Sequence, residues 1–318
     1  MDVIDWLLDS DPALRWQVER DLADAPESVW QATRARVRTE GFGARLLALQ
    51  GADGQWAGGA FFPGEGHRDP VDDGPGQPWI ATTPSLSLLR EWGMDAAALA
   101  GTVEKLAANS TWEYDGSPYW QGEVDWCINA ETLANGGWLG ADVSGLARFF
   151  VDHRMPDGGW NCEWVDGATV SSFHSTVNAL RGLLAYERFT GASDVLREAR
   201  RTGEAYLLER RLLFALSSGD SVGAFTAEFA YPFRWPYSAL TAVDYFLSAA
   251  LFDGAPADPR IEEAIDLVRS KRLPDGRWLQ DVRHPGRVWF EVDAPAGEPS
   301  KWVTFFATRA LQRWDALA

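Results

Sequence analysis

Three residue types with affinity for metal ions stand in one stretch of the chain. Residues 122–174 begin GEVDWCINAETL, end in SSFH, and carry Asp125, Cys127 and His174. A carboxylate, a thiolate and an imidazole form a ligand set that zinc accepts, and three protein ligands leave a fourth position open for water or substrate, as catalytic zinc requires. Asp125 and Cys127 would point roughly 200° apart in a regular helix. They can share a ligand sphere only where the chain enters a helix, and Gly122 marks such an entry. A helix N-terminus also favours the thiolate form of a cysteine. Ser171 and Ser172 are good N-caps and should place His174 in the first turn of another helix. Cys162 lies in the loop before that helix; as a fourth ligand it would close the site and make it structural, and otherwise it packs in the loop. Taken singly, each residue has a plainer reading, since free cysteines are usually buried packing residues.

The elements that must position these residues are helical. Residues 10–23 open on a capping Ser or Asp with Pro12 in the first turn and read as one amphipathic helix, while residues 28–49 read as a second. The second stops at QGADGQW, residues 50–56, where Gly54 supplies a turn. That turn recurs as RMPDGGW, ending at Trp160, and as RLPDGRW, ending at Trp278, so the three tryptophans are 104 and 118 residues apart. Half of each interval is about the length of a helical hairpin with its loops, which is a repeat signature. Aromatic, Gly-rich loops at 109–120 and 217–235 fall near the midpoints. Helices expected near 84–92, 124–134, 171–189, 237–251 and 302–317 are rich in small and apolar residues. Others, near 95–108, 143–154, 194–213 and 261–271, carry a charged stripe that should face water. Alternating inner and outer helices describe an all-α fold, an α/α toroid spanning 1–318 as one domain, with 1–27 packing on the barrel and parallel inner helices. No alternation long enough for a sheet is present.

Composition bounds the function. The chain has 318 residues and a formal charge of −17, which argues against nucleic acid and anionic lipid surfaces as partners. Its 17 Trp and 16 Phe against three Met suggest a rigid aromatic interior. Two cysteines are too few for a disulfide framework and suit reduced thiols. The start, MDVIDWLLDSDP, lacks the features of a signal peptide, and no run approaches the length of a membrane span, so the expectation is a cytoplasmic protein.

With these repeats the sequence resembles the terpenoid cyclase and protein prenyltransferase superfamily, whose members are α/α barrels. The turns QGADGQW, RMPDGGW and RLPDGRW resemble its QW-type repeats of pattern QxxxGxW, the latter two with Arg in place of Gln. The zinc-dependent protein prenyltransferase β subunits are similar in their metal ligands: an Asp and a Cys in a DxC opening one inner helix, and a His opening the next. VDWC and FHST supply Asp125, Cys127 and His174 in that order, with Phe173 at the aromatic position before the His. The resemblance implies zinc as cofactor and an apolar, isoprenoid substrate.

The chain departs from that pattern in its basic residues. The segment before the DxC, residues 117–124, holds no Lys or Arg, whereas a diphosphate needs charge-assisted hydrogen bonds. His67 and Arg68 are the nearby basic candidates. The DxDD of protonating cyclases is missing, DPVDDG at 69–74 reading as a solvated turn, and so is DDxxD. The expectation is a zinc enzyme acting on an apolar small molecule at Asp125, Cys127 and His174, in a pocket drawn from Trp79, Trp112, Trp120, Trp126, Phe173, Tyr231, Trp235 and Trp302. One alternative is a metal-independent cyclase or isomerase using Asp72, Asp73 or Glu228 as acid. The other is a non-catalytic toroid that binds a ligand or a protein.

Overall fold

The computed structural model describes residues 2–74 and 76–318. A short helix, α1 (Val3–Leu8), precedes α2 (Pro12–Asp21). Asp11 caps α2: its carboxylate accepts the Ala13 N–H at 2.9 Å, and Pro12 takes the first-turn position where no donor is needed. The helix expected over 28–49 is two, α3 (Glu27–Arg36) and α4 (Gly41–Leu47). Gly41 has φ +62°, and a Cβ there would run into the Asp11 carboxylate. The chain turns at this glycine so that the Phe42 N–H can reach Asp11 at 2.9 Å. Periodicity could not reveal that break, because the residue that causes it lies thirty positions upstream.

The remaining helices fall close to where their patterns place them: α5 (Thr82–Glu91), α6 (Thr102–Asn109), α7 (Trp126–Leu139), α8 (Ser144–Asp152), α9 (Phe173–Thr190), α10 (Asp194–Glu209), α11 (Ala239–Asp253), α12 (Glu262–Ser270) and α13 (Lys301–Leu317). The exception is the helix expected near 95–108, which is a 3-10 turn over Ala96–Leu99 followed, after left-handed Gly101, by α6. The structure is all-helical apart from one two-residue antiparallel pair among the described residues, Trp278–Leu279 with Pro299–Ser300. No described helix is long and apolar enough to cross a membrane.

The helices with small, apolar sequences form the interior. Helix α7 lies on α9 along most of its length, α9 on α11 and α11 on α13. In the α7–α9 pair Ala130 faces Gly182 and Gly137 faces Tyr186, so the two helices advance in the same direction, with glycines permitting close approach. Asn178 reaches Trp235 and Arg188 reaches Ser248, and Arg309 meets Asp244 while Arg313 meets Ser248. These paired advances make α7, α9, α11 and α13 mutually parallel. Their N-termini, and therefore Asp125 and His174, share one end.

The three PDG or ADG turns are built alike. Trp56, Trp160 and Trp278 are buried, and each donates its Nε1–H to the carbonyl ten residues earlier, Leu46, Phe150 and Val268, at 2.8, 3.1 and 2.8 Å. The N–H of each tryptophan goes to a threonine hydroxyl at the start of an interior helix: Thr82, Thr176 and Thr304, at 3.1, 3.1 and 3.0 Å. Each tryptophan thus ties the end of one helix through its indole to the start of another through its backbone N–H, and both of its buried donors are satisfied.

Candidate metal centre and central cavity

The entry of α7 is locked by its own side chains. Asn129 accepts the Glu123 N–H at 2.8 Å and returns its amide to the Glu123 carbonyl at 2.7 Å, and Gly122, at φ +80°, makes the turn before it. Asp125 is the N-cap residue of α7 but makes no side-chain capping bond, so its carboxylate is left to other partners. Cys127 follows in the first turn. On α9, Ser172 is the N-cap and accepts the Ser175 N–H, which puts His174 in the first turn.

The two cysteines meet. Their sulfurs are 3.5 Å apart, with Cys162 delivered by the 160–172 loop and held there by its N–H bond to the Ser175 hydroxyl at 3.0 Å. Trp164, from the same loop, fastens it to the entry of α7 by donating to the Val124 carbonyl at 3.0 Å. The Ser175 hydroxyl lies 3.3 Å from the Cys162 sulfur, and the Asn178 amide lies 3.6 Å from that of Cys127. The thiols are unequal. The contact with Cys127, helped by the Ser175 hydroxyl, holds Cys162 below the ordinary thiol range. The same contact, together with burial, pushes Cys127 well above it. Asp125 lies against Cys162, and burial raises its carboxyl despite that contact. Glu123, which accepts the Val124 and Asp125 N–H groups, is pushed up to about 7 by burial and by the charge of Asp125.

His174 stands apart from this group. Its Nδ1 accepts the Tyr237 N–H at 2.8 Å, so the proton of the neutral ring is on Nε2 and neither nitrogen offers a lone pair. Burial pulls its pKa below the usual imidazole range, which keeps the ring neutral. The structure therefore brings Asp125, Cys127 and Cys162 together and turns His174 towards Tyr237. Asp, Cys and Cys are donors that zinc accepts. Among the described residues no three His, Cys, Asp or Glu side chains stand at the mutual distances of a metal cluster, so a bound ion would have to draw the trio inwards.

Below the thiols lies a cavity of about 280 Å³ walled by α5, α7, α9, α11 and α13. It follows α9 from Asn178 to Phe189, roughly 16 Å at 1.5 Å per residue. Asn178 belongs to both sites. The wall is charged: Arg181 pairs with Glu91 at 3.2 Å, and Arg309 with Asp244 at 2.6 Å. Burial would raise Asp244, but the charges of Arg309 and Arg313 outweigh it and hold the carboxyl below its usual value. Among the described residues Glu131 accepts only the Ser87 hydroxyl, at 3.2 Å, and burial lifts its pKa against the pull of Arg234. These residues carried a signal in the sequence. Glu131 is the one charge on α7, and Arg181, Asp244 and Arg309 each interrupt a mostly apolar stretch of their helix, where a charge is unexpected unless it is paired or faces a cavity.

None of the eight aromatic residues expected to wall the pocket lines this cavity; Phe189, Phe233 and Phe306 do. Trp79, Trp112, Trp120, Trp126, Phe173, Tyr231 and Trp302 are buried in the packed core, and Trp235 is exposed. Trp126 stacks between Phe149 and Trp164, and Tyr231 lies on Trp302 with ring centres 4.2 Å apart. Of the acids proposed for a metal-free reaction, Asp72 is engaged by Arg287 at 2.6 Å, and Asp73 and Glu228 are exposed. His67 and Arg68 lie on an exposed loop. No protein-family profile matches the chain, and no curated protein matches it.

Proposed function

We propose that this chain is a zinc-dependent enzyme built as an α/α toroid, with the metal held by Cys127 and Cys162 and by Asp125 beside them. The observation that carries the reading is the meeting of the chain's two cysteines at 3.5 Å, from segments 35 residues apart, at the first turn of an interior helix. Zinc bound there would act as a Lewis acid or lower the pKa of a bound water or thiol. The protein's part is to orient the sulfurs through Ser175 and Asn178 and to admit substrate past Asn178 from the cavity. His174 becomes a ligand only if its ring gives up the Tyr237 N–H. The toroid is supported by packing that passes from α5 through α7, α9, α11 and α13 and returns by way of α2 and α4 to α5. Free thiols at the centre suit a reducing compartment such as the cytoplasm. The resemblance implies an apolar substrate, but the charged wall favours a polar one, and prenyl transfer is not part of this proposal.

A second reading is favoured by Glu131: a metal-independent enzyme in which this half-buried carboxyl on the cavity wall is the general acid. The two separate by metal analysis of the purified protein and of Cys127→Ala, Cys162→Ala and His174→Ala. The zinc reading expects about one zinc per chain, lost in both cysteine variants and kept in His174→Ala. Wild-type protein without stoichiometric zinc sinks it.

A further inference from the structure

The cavity wall holds more positive charge than its ion pairs consume. Pairing Arg181 with Glu91 and Arg309 with Asp244 leaves Arg90, Arg188 and Glu131 on the wall. Arg90 makes one hydrogen bond among the described residues, Nε to Asn135 at 2.9 Å, which leaves its two terminal nitrogens without a protein acceptor. Arg188 sits at the exposed end of the cavity and donates to the Ser248 carbonyl. The Nε of Arg309 is buried without a hydrogen-bond partner among the described residues. Behind the wall, buried Arg234 makes no ion pair among the described residues and lies over the Trp79 ring at 4.5 Å.

Such an arrangement is costly by itself. A guanidinium removed from water must be paired or hydrogen-bonded, and this chain is strongly acidic, with a formal charge of −17. Acids to neutralise these arginines are abundant in the composition, and the charges of Glu91 and Glu131 act on Arg90, yet among the described residues none stands within ion-pair distance of it. The two terminal nitrogens of a guanidinium form a fork that matches the two oxygens of a carboxylate or phosphate. The fork of Arg90 lies in a cavity that also presents Phe233 and Phe306.

We propose that the cavity is a binding site for a small organic oxyanion, a carboxylate or a phosphate monoester, whose charged group is received by the fork of Arg90 and whose apolar body lies against Phe233 and Phe306. Arg188 at the mouth draws the anion in. The site does not depend on zinc, because arginines supply its charge.

The test is calorimetric titration of the purified protein at low ionic strength with phenyl phosphate, phenylacetate and, as the uncharged counterpart, 2-phenylethanol. One or both anions bind saturably at one site per chain, and the alcohol binds at least about tenfold more weakly, as expected for loss of a charge-assisted bond. The stronger anion identifies the headgroup. Arg90→Met weakens the anion by about tenfold or more and leaves the alcohol unaffected. Arg188→Met at the exposed mouth, which does not threaten the fold, weakens the anion and leaves the alcohol unaffected. Arg36→Met, at a surface pair with Glu40, changes neither. Absence of saturable anion binding, equal affinity for all three probes, or unchanged affinity in a folded Arg90→Met overturns the proposal. Loss of zinc from Cys127→Ala with anion binding intact separates this site from the metal centre.

Discussion

Glu187 and Arg200 form an ion pair at 2.7 Å in which neither side chain touches solvent. Helix α9 supplies the acid and α10 the base, so the pair joins an interior helix to an outer one. Arg200 also reaches Glu204 at 3.2 Å and Asp253 at 2.9 Å. Removing it leaves the Glu187 carboxylate without its cation in a site sealed from water, while Asp253 keeps Arg197 at 3.4 Å. Arg200→Met should therefore destabilise the protein by about 3–5 kcal/mol, the cost of breaking a buried pair from one side. Urea unfolding measures this, and a loss under about 1 kcal/mol would mean that the pair is no better than a surface one.

The three repeated turns should respond alike. Thr82→Val, Thr176→Val and Thr304→Val each remove the hydroxyl that accepts a buried tryptophan N–H, for which the expected loss is about 1–3 kcal/mol. Chemical denaturation of the three variants checks both the size and the similarity. One turn at zero cost would show that its hydrogen bond is not structural.

Gly41→Ala should lower the melting temperature. The position has φ +62°, and the new methyl group would meet the carboxylate of Asp11, which holds the Phe42 N–H. A left-handed non-glycine residue costs about 1–2 kcal/mol before any clash is counted. Gly101→Ala, also left-handed at φ +82° but open to solvent, provides the comparison for strain alone. Equal losses in the two variants would exclude the clash.

Stability should fall with rising pH across the titration of Asp293. Burial pushes its carboxyl up to about 6, even though the Ser300 hydroxyl and the Ala294 and Lys301 N–H groups bond to it. A carboxyl whose folded pKa is raised contributes stability that is fully present below the unfolded value, about 3.9, and is lost as pH passes the folded value. Unfolding free energies of wild type and Asp293→Asn between pH 4 and pH 7 should therefore converge on the variant's flatter profile in slope, with the wild type losing stability in that window. Parallel profiles would rule the effect out.

The thiol pair should behave as one chelating unit. Sulfurs 3.5 Å apart can be bridged by a single trivalent arsenical. Metal-stripped wild type should hold one phenylarsine oxide per chain against a competing monothiol, and Cys127→Ala or Cys162→Ala should release it. Mass spectrometry reads the outcome, and equal retention by a single-cysteine variant would separate the sulfurs.

The helices and their signals were legible in the sequence because they depend on neighbours within a few residues. Asp11 and Pro12 start α2, Ser172 starts α9, and the glycines of the three PDG or ADG turns have positive φ at Gly54, Gly158 and Gly276. Burial followed as directly, since helices of small and apolar residues such as α7 and α11 have no face to give to water.

Only the tertiary structure decided which of these residues meet. Cys162 reaches Cys127 rather than merely packing in its loop, because Ser175 and Trp164 hold that loop onto the entry of α7. His174 begins α9 as its serines require, yet its ring turns to the Tyr237 N–H, a partner 63 residues away. Arg90, Glu131, Arg181, Asp244 and Arg309 come from five different helices and share one cavity. Periodicity reports which face of a helix is apolar, but the direction of a side chain is settled by the helix packed against it, and that neighbour is set by the fold as a whole.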